Sequence, residues 1–408
     1  MTGRGVPRRG LRIVVTGLVG QFPVGGVAWD YLQYVIGLSR LGHDVYYHED
    51  TRCWPYDPVA NARTADGAYP ARFLAGFFAA HAPELSDRWH YRHLQRESFG
   101  MGAGAFAEVA RSADLYLNVS GAGIPPEGLA AACVTAFVDT DPGYNQILLS
   151  QRPDGPGSVN QWWESVAAHD RHFTYAENIH APDCTVPGLG IDWTPTRMPV
   201  VLGEWTGLPA AAAGRPWTTV MTWNNFEPVV HDGVAYHGKG PEVERLIDLP
   251  GRTGERLLAA VGGTEAPLER LRACGWEVVD GPAATRTAGA YRDLIGGSRG
   301  EVSAAKHVYV AMRTGWFSCR SACYLAAGRP VVVQDTGFSS HLPVGAGLLA
   351  FSSPEEASAR LEEAAADYAA HAAAAQDLAR EHFGADRVLS RLLEDALASQ
   401  EPSSGARS

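Results

Sequence analysis

Few side chains in this sequence are placed for chemistry, and they fall in short groups. Of 34 basic residues only Lys239 and Lys306 are lysines. Either they are remnants in an arginine-rich chain, or they mark places where a compact ammonium is needed and a forked guanidinium will not fit. Asp139 closes the apolar run Phe137-Val138. The carboxyl ends of strands in open α/β sheets border the ligand crevice, so Asp139 is a candidate to take a proton from a hydroxyl. Asp141, followed by Pro142, reads instead as a helix cap with proline at the first helical position. Glu177 follows the run His172 to Tyr175 and shares the crevice placement of Asp139, for catalysis or for hydrogen bonding to a substrate, with a surface turn as the alternative. Gly25 and Gly26 precede a helical pattern, where bare backbone N–H groups are open to a phosphate or a sugar; a tight turn without ligand accounts for the pair equally well. Trp54, Tyr56, Trp89, His90, Tyr91 and His93 offer aromatic faces suited to sugars and flat rings, or are simply core. The six cysteines include no C-x-x-C pair and no Cys/His set at zinc spacing, so neither a metal site nor a disulfide framework is expected.

The elements that must position these groups read as two α/β halves. Leu11 to Thr16, a glycine-punctuated loop, a helix with Ala28, Tyr31, Leu32, Val35 and Leu38 on one face, and Asp44 to His48 make a strand, helix, strand unit of a parallel sheet. Asp114 to Val119, Val134 to Val138 and His172 to Tyr175 are further strands. Between Pro195 and Pro216 four prolines and an alanine run read as a connection. A second set of strands follows at Trp217 to Thr222, Arg256 to Val261, Trp276 to Val279 and Pro330 to Gln334, and alanine- and leucine-rich helices close the chain. The expected fold class is α/β, two Rossmann-like doubly wound domains facing across a cleft. The expected units are residues 1–200, residues 201–385, and a helix at 386–408 crossing back to the first half with a disordered tail.

At 408 residues with a net charge of -11, the global field repels polyanions. The expectation is a small or neutral partner, with no nucleic acid and no integral membrane association. The amino-terminal arginines are followed by a run broken by glycines, which is a strand rather than a signal-peptide core. A cytoplasmic location is expected.

The segment Thr314 to Phe351, TGWFSCRSACYLAAGRPVVVQDTGFSSHLPVGAGLLAF, runs glycine loop, small-residue helix, A-x-G-R-P-V-V strand, D-T-G loop, second strand. With GQFPVGGVAWDYLQYVIGLSRLGHDV at the front, it resembles the GT-B glycosyltransferases over nearly the whole chain. The stretches EVSAAKHVYV and GWFSCRS are similar to a group of bacterial sequences described only as probable glycosyltransferases. The resemblance implies a metal-independent, hexosyltransferase-like enzyme with no cofactor. It would move a sugar from a nucleotide diphosphate sugar to a small-molecule acceptor bound by the first half. It departs from many retaining members, which carry two glutamates eight positions apart, because Gly315 and Cys323 stand at those places. A sugar nucleotide presents two phosphates, which are met by main-chain N–H groups at a helix start and by a few cations. The candidates are Trp316, Phe317 and Ser318 in the loop, Arg320 and Ser321 at the helix start, Lys306 and Arg313 just before, and Asp335 shaping the pocket. Lys239 stands where the resemblance places a basic residue on the diphosphate. Arg313 and Arg320 have an ordinary alternative in ion pairs with Glu301 and Asp335. An epimerase acting on sugar nucleotides, and a catalytically silent nucleotide-sugar-binding partner, remain as alternative functions.

Overall fold

The computed structural model describes residues 10–121, 123, 125–152, 157–224 and 226–398. The amino-terminal arginines and the tail expected to be disordered lie outside them.

Short runs rich in Val, Ile, Leu and Tyr, buried on both faces, make the strands of a parallel sheet covered by helices. In the first half the order across the sheet is Trp193–Pro195, Arg171–Thr174, Val134–Asp139, Leu115–Val119, Arg12–Thr16, Asp44–Thr51, Trp89–His93 and Glu97–Gly100. Every neighbouring pair is parallel except the last, which is antiparallel. The second half is a parallel sheet ordered Glu277–Asp280, Leu257–Gly262, Trp217–Thr222, Gly300–Ser303, Val331–Gln334 and Leu348–Phe351. In both sheets the first strand of the half sits in the interior and the order reverses beside it. That reversal is the topological switch point at which doubly wound folds open a crevice.

The helix Gly25–Arg40 is the main packing element of the first half, with Trp29, Leu32, Tyr34, Val35, Ile36 and Leu38 fully buried. Trp29 packs edge-on against Phe77 and His81, tilts against Trp205, and donates its indole N–H to the Ala288 carbonyl at 3.0 Å. The buried Gln33 amide oxygen accepts from Val201 N (2.8 Å) and Trp205 Nε1 (3.1 Å). These bonds fasten the segment that leaves the first sheet onto this helix.

The chain comes back after the second sheet. The helix Ala385–Leu397 packs on Gly25–Arg40, and the approach is close because Gly37 has no side chain. A Cβ there would stand 2.5 Å from Leu389 Cδ1 and 2.9 Å from Ala385 Cβ. Where outgoing and returning segments pass, Val200 N donates to Phe383 O (2.7 Å) and Ala385 N to Val200 O (2.9 Å). No helix among the described residues is long and apolar enough to cross a membrane.

Candidate functional site

A cavity of about 740 Å³ opens between the carboxyl ends of the two sheets. Ser120, Thr140 and Tyr175 border it just past strands of the first half; Thr222, Gly262, Gly281, Ser303 and Gln334 do so in the second. The site is therefore built from strand ends and helix starts, as expected at two facing switch points.

The second half supplies the cations. Lys239 is 7% exposed, and its ammonium donates to Ser303 Oγ at 2.9 Å without an ion pair among the described residues. Burial, then the neighbouring Arg320 charge, holds it well below the ordinary lysine range. Arg320 bonds Glu301 Oε1 through Nε (2.6 Å), Val220 O through one terminal nitrogen (2.7 Å) and Ser303 Oγ through the other (2.9 Å). Burial opposes its charge, but the fully buried Glu301 keeps it protonated above the usual arginine range. Arg320 thus takes the ordinary partner Glu301, and the unpaired buried charge in this cluster is Lys239. The helix Cys319–Ala326 starts beside them, and the buried Ser321 hydroxyl in its first turn has no partner among the described residues. Lys306 forms a two-pronged ion pair with Asp141 of the first half (2.8 and 2.7 Å), and the Tyr309 hydroxyl donates to the same carboxylate. Trp316 stacks on Tyr309 at 4.3 Å between ring centres and donates to Thr140 O at 3.1 Å.

The first half supplies carboxylates and hydroxyls and, among the described residues, no cation to the lining. Asp30, in the second turn of Gly25–Arg40, is half-buried; burial pushes its pKa up to about 7 against the lowering effect of Arg320 and the Cys319 thiol. Beside it Tyr31 donates its hydroxyl to Ser120 Oγ (2.8 Å), which is hydrogen-bonded in turn to Thr140 Oγ1 (2.6 Å). Ser120 holds this place at φ +65, a backbone region costly for a residue with a side chain and often found at functional sites.

Of the thirteen residues singled out from sequence as catalytic or donor-binding, Gly26, Lys239, Lys306, Trp316, Phe317, Ser318, Arg320 and Ser321 line the cavity. The other five do not. Asp139, the candidate base, is 1% exposed and its carboxylate is engaged by Gln146 Nε2 (2.6 Å), Thr174 Oγ1 (2.9 Å), Asn145 Nδ2 (3.3 Å) and Asp141 N (3.3 Å). Burial raises it to about 6, but it supports the turn and has no face toward the cavity. Asp141, read as a cap, turns into the cleft instead, because the helix Tyr144–Ser150 begins after Gly143 at φ +90. Glu177 is clamped by Arg197 through two bonds (2.6 and 2.7 Å). Arg313 pairs with Asp183 at 2.6 Å on the surface. Asp335 closes its own turn, accepting from Gly337 N (2.8 Å) and Ser339 Oγ (2.6 Å). Gly25 serves contact between the halves, its N–H donating to Thr285 O at 2.9 Å while a Cβ would meet Thr287 O at 2.2 Å.

Asp30, Tyr56 and Asn61 were not singled out as catalytic or donor-binding residues. Asp30 had a signal, being the one carboxylate in Gly25–Arg40. Among the aromatic stretch, Trp89, His90, Tyr91 and His93 are buried core, Trp54 is 55% exposed, and Tyr56 lines the cavity.

No protein-family model matches the chain, and no curated protein matches it in sequence. Its three-dimensional structure does match solved ones. A glycosyltransferase from Rickettsia africae superposes over 97% of this chain and all of its own at a TM-score of 0.55 and 10% identity. The fold is that of GT-B glycosyltransferases. An α-glucosyltransferase solved with UDP and a 13-mer DNA gives a TM-score of 0.53 at 11% identity, with 95% of this chain and 100% of that one covered. AviGT4, a glycosyltransferase involved in avilamycin A biosynthesis, gives 0.50 at 15% identity, covering 94% of this chain and 96% of its own. The DNA in the second of these corrects the expectation that nucleic acid is excluded as a partner. Net charge describes the far field, so a total of -11 does not decide which partner the residues at the cleft admit.

Proposed function

We propose that the protein is a glycosyltransferase transferring a sugar from a nucleotide diphosphate sugar, bound by the second half, to a hydroxyl of an acceptor bound by the first. The observation that carries this reading is Lys239, a buried ammonium at the cavity wall where the Cys319–Ala326 helix starts, which has no ion pair among the described residues, beside the Ser321 hydroxyl, which has no partner among them either. A diphosphate supplies the missing negative charge, and the backbone N–H groups of the helix start add donors for it. Fixed donors and cations of this kind stabilise a departing diphosphate without reorganising, and the transfer is read as metal-independent and free of a cofactor.

Asp30 is the group best placed to take the proton of the acceptor hydroxyl. It faces the cavity, it sits across from the cations, and a pKa near 7 suits a general base. Tyr31, Ser120 and Thr140 orient the acceptor beside it. A small acceptor fits a wall that carries Asp30 and Asp141 and no cation among its described residues.

Release of free nucleoside diphosphate from a panel of nucleotide sugars, with and without EDTA, tests the reaction. Binding of nucleoside diphosphates to Lys239→Ala tests the site. Loss of diphosphate binding with nucleoside binding unchanged supports the reading; equal affinity of parent and variant for the diphosphate rejects it.

A further inference from the structure

After the strand Asp44–Thr51 the chain leaves the first sheet and forms a small hairpin, Tyr56–Asp57 paired with Ala62–Arg63. The hairpin is fastened to the glycine loop of its own half. Tyr56 N donates to Gln21 O at 2.8 Å, and the Arg63 guanidinium lies 4.5 Å above the Phe22 ring while donating to Trp54 O at 2.8 Å. Two of its side chains, Tyr56 and Asn61, line the cavity. The Tyr56 hydroxyl donates to Asn61 Oδ1 at 2.7 Å, which fixes the amide and leaves both Nδ2 hydrogens unspent among the described residues. Tyr56 lines the cavity together with residues of the other half, and after burial the carboxylate of Asp280 there is the next influence raising its phenol.

The opposite wall is bare. Thr222, Gly262, Gly263, Gly281 and Pro282 form it at the ends of the strands Trp217–Thr222, Leu257–Gly262 and Glu277–Asp280. Gly263 stands at φ +94, and a Cβ at Gly281 would lie 2.9 Å from the Val261 carbonyl carbon. Thr222, backbone and a proline ring on one side and Tyr56 with the free N–H groups of the Asn61 amide among the described residues on the other line a part of the cavity suited to a planar, polar-edged ligand. Stacking on an aromatic ring is tolerant of base identity, whereas an amide can read a base edge.

We propose that this part of the cavity holds the nucleobase of the donor, stacked on Tyr56 and read by Asn61 Nδ2, so that the half opposite the phosphate-binding groups sets nucleotide preference. The inference rests on the donor reading given above. It makes Tyr56 and Asn61 specificity-determining residues and makes donor binding bridge both halves.

The test is calorimetric binding of UDP, dTDP, CDP, GDP and ADP to the full chain, followed by the tightest of these and by inorganic diphosphate on the variants. Tyr56→Ala is expected to weaken the tightest nucleotide roughly tenfold or more and leave inorganic diphosphate unchanged. Tyr56→Phe, which keeps the ring, should bind within about threefold of the parent, and Asn61→Ala should shrink the preference for the best nucleotide over the second best. Parent-like nucleotide affinity in Tyr56→Ala, with Lys239→Ala still weakened, overturns the inference and leaves the donor reading standing. Equal weakening of nucleotide and inorganic diphosphate by Tyr56→Ala also overturns it. Absence of any nucleoside diphosphate binding by the parent removes the donor reading and this inference together.

Discussion

Replacing Asp30 by asparagine should stop catalysis and stabilise the fold at the same time. In the folded chain the carboxyl's pKa rises from 3.8 to about 7, first through burial. Between these values the folded state holds the proton more tightly than the unfolded state. The parent therefore loses stability as pH rises through that window, and above it the full cost is present. About three units at 1.4 kcal/mol each is on the order of 4 kcal/mol; discounting for cavity solvent around a half-buried group leaves roughly 2 kcal/mol. The asparagine amide is neutral at every pH and escapes this cost. Asp30→Asn should thus melt higher than the parent at pH 8, with the difference disappearing near pH 4, while donor transfer falls by about a hundredfold or more. In the parent, kcat/KM should climb with pH through about 7 as the base ionises. Calorimetric melting at the two pH values and a pH-rate profile read all of this. An Asp30→Asn enzyme with parent-like turnover would refute the role of base, and an unchanged or lower melting temperature at pH 8 would refute the argument from burial.

Nucleotide diphosphate binding should be linked to proton uptake and not release, growing as pH is raised, because an adjacent anion lifts the depressed pKa of Lys239; calorimetry in buffers of different ionisation enthalpy across that pH range measures it, and Lys239→Met should abolish it. Asp139→Asn should keep turnover within a few-fold of the parent, since its buried carboxylate is engaged by Gln146 and Thr174 away from the cavity; a hundredfold loss with donor affinity intact would return it to the chemistry. Gly37→Leu should destabilise the chain by about 1 to 3 kcal/mol, as the added side chain meets Leu389 and Ala385, read as a drop in the denaturation midpoint. Incubation with EDTA should leave transfer unchanged, and restoration of a lost rate by added magnesium would show that the cations alone do not carry the leaving diphosphate.

Sheet strands were legible wherever apolar β-branched runs stood between turns. Trp217–Thr222 has the bounds that the sequence indicates. Trp89–His93 was not read as a strand, because its histidines obscure the apolar pattern. In the fold His90 faces His48 at 3.2 Å and both stack on Phe106, burial that composition does not reveal. At the site, sequence located the cations and the strand ends but not the direction of side chains. Asp139 and Asp141 are two residues apart, and the left-handed Gly143 after them is what turns one inward to Gln146 and the other across to Lys306. Arg320 was visible as a charge and Glu301 as one candidate partner for it, but that Arg320 takes Glu301 while Arg313 goes to Asp183 depends on how the strands and loops lie together, which no local pattern contains. Asp30 belongs to a helix whose apolar face was evident, and only the second half of the chain shows that its other face looks into a cleft.

The passing of the chain at Val200 and Phe383 has a mechanical meaning. Two covalent links join the halves, and because they are bonded to one another by Val200 N to Phe383 O and Ala385 N to Val200 O, they behave as one narrow strap. A single flexible linker would let the halves drift and twist in any direction. A strap of this kind resists sliding and separation of the halves along this edge, since either would have to break its hydrogen bonds. The cleft is held at its mouth as well, by Lys306 on Asp141 and by the Gly25 N–H on Thr285 O, so the two walls keep one spacing, as a book bound at the spine and clasped at the fore-edge keeps its pages in line.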